Sequence, residues 1–132
     1  MAYGKDIKDY NKALGKAQRE IAEQLCQTFE KYLTKAEAKV WHGHPVWFID
    51  GNPIVGYSLK KSGMEVLFWS GQSFITAGLN PVGKFKAAGV AVPSLEELDP
   101  KALAKWLKES KAIQWDYQNV VKKKKLEKLT EF

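Results

Sequence analysis

His44-Pro45-Val46-Trp47-Phe48-Ile49-Asp50-Gly51-Asn52-Pro53-Ile54-Val55-Gly56-Tyr57 and, after a polar break, Met64-Glu65-Val66-Leu67-Phe68-Trp69-Ser70-Gly71-Gln72 form the stretch that decides the fold. Short runs of β-branched and aromatic residues are separated by Gly, Pro, Asn and Lys61-Ser62-Gly63, residues that supply the backbone freedom or ring constraint of a turn. The pattern predicts an antiparallel meander with strands near 39–42, 46–50, 54–60 and 64–70. Asp50-Gly51-Asn52 reads as a tight hairpin turn and Lys61-Ser62-Gly63 as a three-residue loop. With Asp50 opposite Pro53 and Lys60 opposite Met64, one sheet face collects Val46, Phe48, Val55, Tyr57, Leu59, Leu67 and Trp69. The other collects Trp47, Ile49, Ile54, Met64, Val66 and Phe68. Neither face is polar in any register, so a one-residue slip would exchange the two sets without leaving a polar face in the core.

Upstream of the meander, Ile7, Tyr10, Leu14, Ala17, Ile21, Leu25, Phe29 and Tyr32 recur in steps of three and four, which places one apolar stripe on a helix over 5–33. Gly15 either kinks this helix or divides it into a short first and a longer second piece. Cys26 lies beside the stripe and reads as a small buried residue. Downstream, 74–92 is rich in Gly and Ala and holds one further strand at 85–92. Ser94-Leu95-Glu96-Glu97 has the form of a capping box, and Asp99-Pro100 places an N-cap and a first-turn proline ahead of a helix expected to reach about Tyr117. Leu103, Trp106, Leu107, Ile113 and Tyr117 are its inward residues.

Composition narrows the class. A chain of 132 residues with 45% apolar content suffices for one domain with one core. Its apolar runs are far shorter than the roughly 20 residues of a membrane-spanning helix. Its first residues are polar and precede no apolar segment of an export signal, so the expected location is the cytoplasm. One cysteine permits no internal disulfide and no Cys-x-x-Cys metal or redox motif. Half of the net charge of +6 lies in 118–132, where five lysines (Lys122 to Lys125 and Lys128) face Glu127 and Glu131. The expected organisation is therefore one domain over 1–120 and a basic tail over 121–132.

No motif carries catalytic chemistry. Gly78 to Lys84 has the spacing of a phosphate-binding loop, but Phe85 stands where a hydroxyl must ligate magnesium and no helix follows. Gly71-Gln72-Ser73 begins like a nucleophile elbow, yet Ile75 replaces the closing glycine. His42 and His44 have a spacing that could present two imidazoles to a metal from an extended strand, but Gly43 and Pro45 suggest a turn there. Asp50 and Glu65 do not form an evident acid and base pair. The aromatic set Trp41, Trp47, Tyr57, Phe68 and Trp69 is the most functional-looking feature, because two helices can cover only about one face of such a sheet.

Taken together, Trp41 to Gly43, His44 to Phe48, Gly51 to Tyr57, Leu67 to Phe74 and the closing helix resemble the YdhG-like domain family, small bacterial proteins of unknown function. The resemblance covers most of the chain and implies helices packed on one face of an antiparallel sheet, an architecture similar to frataxin. Some relatives are described as iron chaperones, with iron held by acidic residues of the first helix and strand. Here 1–37 holds seven basic and six acidic residues, not an acidic ridge.

The sequence therefore leads to an α+β two-layer sandwich, an antiparallel β-meander with helices on it. The expected function is that of a non-enzymatic binding module. Trp47, Phe48, Tyr57, Trp69 and Gln72 are its ligand-binding residues. Its partners are a small molecule, a protein or a second copy of the chain, and neither membrane nor nucleic acid is expected. No cofactor is expected. A frataxin-like iron carrier, with His42 and His44 as the remaining metal candidates, and a nucleic-acid accessory protein acting through the lysine tail are the alternatives.

Overall fold

The computed structural model describes residues 3–61, 63–83, 85–117 and 128. Two helices, α1 (Lys5–Lys12) and α2 (Lys16–Tyr32), precede four consecutive strands, β1 (Glu37–Trp41), β2 (His44–Ile49), β3 (Asn52–Lys60) and β4 (Gly63–Phe68). A single-turn 3₁₀ segment (Gly71–Ser73), β5 (Asn80–Pro81), β6 (Ala88–Val92), a second 3₁₀ turn (Leu95–Glu97) and α3 (Pro100–Ala112) complete the order. The strands form one six-stranded antiparallel sheet in the order β1-β2-β3-β4-β6-β5. All three helices contribute to one core against one face of it, with Ile7, Leu25, Phe29, Leu103 and Leu107 meeting Trp47, Val55, Tyr57, Met64, Val66 and Phe68. This is the two-layer α+β arrangement that the periodicities dictate.

Gly15 divides the first two helices and stands as the N-cap of α2. Asp99 caps α3 through Oδ1, which accepts from the Lys101 and Ala102 backbone N–H groups at 3.1 Å each, with Pro100 in the first turn. Ser94 does not act as the backbone acceptor of a capping box. Its hydroxyl donates to Glu97 Oε2 at 3.2 Å, and the segment makes only a 3₁₀ turn. The last helix stops at Ala112, short of Tyr117. The expected strand at 85–92 is confined to Ala88–Val92 and pairs with the short β5, which the sequence pattern did not reveal.

The largest correction is the register. Asp50 and Gly51 both adopt positive φ, +50° and +82°, so the turn has two residues and Ile49 faces Asn52. A bulge between Trp47 and Phe48 then sets Phe48 opposite Pro53 and Trp47 opposite Val55. On the far side Lys60 faces Gly63, not Met64, and the pairs Leu59–Met64, Tyr57–Val66 and Val55–Phe68 follow. Val55, Tyr57 and Leu59 therefore share the helix-covered face with Trp47, opposite to the expected placement.

Beyond α3 the chain is held across the end of the sheet. Asn52 Nδ2 donates to Trp115 O at 2.9 Å, Trp115 N donates to Ser70 Oγ at 3.0 Å, and the Trp115 indole donates to Ser73 Oγ at 2.9 Å. Tyr117 thereby reaches the helix-free face, where it packs against a second apolar cluster. The basic run Lys122 to Lys125 lies outside the described residues. Lys128 is exposed and forms an isolated antiparallel bridge with Trp115. Among the described residues no helix is long and apolar enough to cross a membrane.

Candidate functional site

The alternation of β2 sends Pro45 and Trp47 toward the helices and His44, Val46 and Phe48 to the other side. There Val46, Phe48 and Trp69 form a small buried cluster, flanked by the half-buried Trp41, Leu67 and Tyr117. The Trp41 ring lies 5.4 Å from Phe48 in an edge-to-face arrangement and 6.2 Å from Trp69, and the His44 ring lies 6.5 Å from Trp69. Lys39 places its ammonium 5.0 Å from the Phe48 ring centroid. The β1–β2 turn, with His42 at φ +52° and Gly43 at φ +85°, pairs Trp41 directly with His44 and so brings an indole and an imidazole to one corner of this face.

Hydrogen bonding separates the tryptophans. The indole N–H groups of Trp47, Trp106 and Trp115 donate to Glu30 Oε2, Thr76 O and Ser73 Oγ. Those of Trp41 and Trp69 donate to no partner among the described residues. Beside them His44 Nδ1 is buried and has no hydrogen-bond partner among the described residues. Burial lowers the His44 pKa from 6.5, and the nearby Lys60 and His42 lower it further. The unfolded chain then takes up this proton more readily than the folded one. Stability is fully present above about pH 6.5 and falls as pH drops through the unfolded value toward the folded one. His44→Gln removes that component. Urea melts at about pH 8 and about pH 5.5 should show the wild type losing more stability than the variant, and equal losses would exclude His44 as the titrating group.

The five residues expected to bind a ligand divide between the two faces. Phe48 and Trp69 stand on the helix-free face. Trp47 and Tyr57 are 0% and 1% exposed within the main core and present no surface to a ligand. Gln72 ties the 3₁₀ turn to the segment before β6, its N–H donating to Lys86 O at 2.8 Å and its amide to Ala87 O at 2.9 Å. It also lines a pocket of about 230 Å³ under the 74–79 loop. Of the two histidines, His42 is exposed in the turn, and His44 faces Trp69.

A buried polar group went unread in the sequence. The Tyr57 hydroxyl donates to Asn11 Oδ1, the Asn11 amide donates to Cys26 Sγ at 3.6 Å, and Cys26 Sγ lies 3.2 Å from Tyr57 Oη. Asn11 interrupts the apolar stripe between Ile7 and Leu14, and that interruption was the available signal. Burial pushes both the Cys26 thiol and the Tyr57 phenol above their ordinary pKa, so the sulfur stays a neutral thiol. A disulfide reagent such as dithionitrobenzoate should therefore label Cys26 only as the chain unfolds, with native protection that follows global stability. Rapid labelling of the native protein would contradict the burial.

Of the five acidic residues of the first two helices, Asp6 and Glu30 hold backbone or core groups and Asp9 forms an exposed ion pair. Asp6 accepts from Val40 N at 2.7 Å, Glu30 accepts from Tyr3 N and the Trp47 indole, and Asp9 pairs with Lys5 at 3.2 Å. Among the described residues no three His, Cys, Asp or Glu side chains come together as a metal-binding group.

The chain matches no protein-family model and no curated protein. Its structure is similar to the crystal structure of a DUF1801-family protein, YdhG of Bacillus subtilis, with a TM-score of 0.60 at 15% identity over 90% of this chain and 91% of that one. Helix order, sheet and closing helix thus agree with the reading from Trp41 to Phe74 and the final helix, and the chain has the fold of the YdhG-like, DUF1801 proteins.

Proposed function

We propose that the protein is a non-enzymatic binding module whose helix-free sheet face holds a flat, largely apolar ligand or partner segment that carries hydrogen-bond acceptors. The observation that carries this reading is the pair of indole N–H groups at Trp41 and Trp69, without partners among the described residues and set in an aromatic wall. Aromatic walls with a few convergent polar groups are the usual makeup of small-ligand sites. Three further indoles in the same molecule donate to protein acceptors, so a free donor is not a general property of its tryptophans. His44 adds an imidazole kept neutral by its surroundings, and Lys39 and Lys60 supply positive charge at the margin.

A screen of flat aromatic amides and ketones, read by tryptophan fluorescence, tests the proposal. Trp41 is only half-buried, so Trp41→Ala should lower unfolding stability by no more than about 1 kcal/mol while removing binding of the hits. Hits that bind the variant as tightly as the wild type would place the site elsewhere, and a screen without hits would remove the support for a small ligand.

A further inference from the structure

We propose that the cleft between α1 and α2, on the helix side of the sheet, is a second binding site, built for a small organic carboxylate with an apolar body. The cleft encloses about 300 Å³ and is lined by Tyr3, Lys8, Asn11, Lys12, Arg19 and Glu23. That volume stands at the lower end of the range for small-molecule sites, roughly 300–1,000 Å³. Its floor is buried and polar, with Tyr3 at 9% and Asn11 at 5% exposure. Asn11 Oδ1 is occupied by the Tyr57 hydroxyl, but its amide nitrogen has only the Cys26 sulfur at 3.6 Å. A thiol is a weak acceptor, so this amide retains donor capacity.

The rim carries the charge. Lys8 and Lys12 stand one turn apart on α1, a like-charged spacing that costs an isolated helix a few tenths of a kcal/mol. Neither ammonium group has a hydrogen bond or ion pair among the described residues. From α2, the Arg19 guanidinium is held at the mouth by the carbonyls of Lys12 and Leu14, at 3.4 and 3.2 Å, both accepting from Nη2. Its remaining N–H groups stay available for a carboxylate. Glu23 is the single acid of the lining. Its charge opposes a second negative group on the ligand, which favours a monoanion over phosphate or a dicarboxylate. The aliphatic stems of the two lysines and the Tyr3 ring supply the apolar wall.

This site lies on the other side of the sheet from Trp41 and Trp69, so the two readings stand or fall separately. Benzoate, its neutral isostere benzamide and inorganic phosphate are titrated into the full chain, read by backbone and side-chain amide shifts. Benzoate should move the Asn11 side-chain amide and the signals of Lys8 and Arg19, and benzamide and phosphate should each bind at least about tenfold more weakly, as expected for loss of a charged hydrogen-bond partner or for repulsion by Glu23. The exposed double variant Lys8→Gln/Lys12→Gln should melt like the wild type and lose at least about tenfold in benzoate affinity. Equal binding of benzoate and benzamide, unchanged affinity in the double variant, or benzoate shifts confined to the Trp41 and Trp69 indoles would overturn the proposal.

Discussion

Trp47→Ala is expected to remove about 3–5 kcal/mol of unfolding free energy, a large share of the roughly 5–15 kcal/mol that holds a typical domain together. Trp47 has no exposed surface, and its ring meets Phe29 edge-to-face at 5.0 Å and lies 6.3 Å from Tyr3. Truncation opens a cavity where α1, α2 and the sheet converge. It also strips Glu30 Oε2 of the indole donor at 3.2 Å, which leaves a half-buried carboxylate oxygen to find water. Urea unfolding checks the value. A loss below about 1 kcal/mol would mean that Trp47 faces a ligand and not the helices, and that the observed register is wrong.

Gly56→Ala should cost about 2–3 kcal/mol, as overpacking does when the obstacle cannot move aside. A Cβ at this position would stand 2.5 Å from the Pro45 carbonyl oxygen, 3.2 Å from Val46 Cγ2 and 3.4 Å from Trp69 Cζ3. The nearest atom is backbone of the neighbouring strand, so β2 and β3 must separate or the Trp69 ring must tilt. The glycine thus lets Trp69 lie down on the sheet, and its replacement should disturb the aromatic corner as well as the melt. Denaturation that matches the wild type, with unchanged Trp69 signals, would contradict this packing.

The architecture was legible because two periodicities do not resemble each other. Steps of three and four up to Tyr32 can be satisfied only by helices, and Asp50-Gly51 and Asp99-Pro100 punctuate the chain with residues whose backbone preferences are strong. The site was legible only in part. The residue pattern puts Phe48, Tyr57 and Trp69 on one face and Trp47 on the other; in the structure Phe48 and Trp69 stand on the helix-free face, and Tyr57 and Trp47 are core. The reason is that both faces of β2, β3 and β4 are apolar, so hydrophobic pattern could not choose between registers one residue apart. Two local details chose: the bulge between Trp47 and Phe48, and a β3–β4 turn one residue shorter than expected, which sets Lys60 opposite Gly63. Strand identity alone likewise could not tell which indoles spend their N–H groups inside the protein, because Glu30, Thr76 and Ser73 are remote in sequence from the tryptophans they serve.

The most direct test of the binding face follows the five indole N–H cross-peaks of the ¹⁵N-labelled chain while the aromatic amide and ketone fragments are added. The Trp41 and Trp69 signals should exchange fastest with water and should be the ones that move with ligand, leaving those of Trp47, Trp106 and Trp115 in place. Slow exchange of both Trp41 and Trp69, or fragments that move only the other three, would contradict the account.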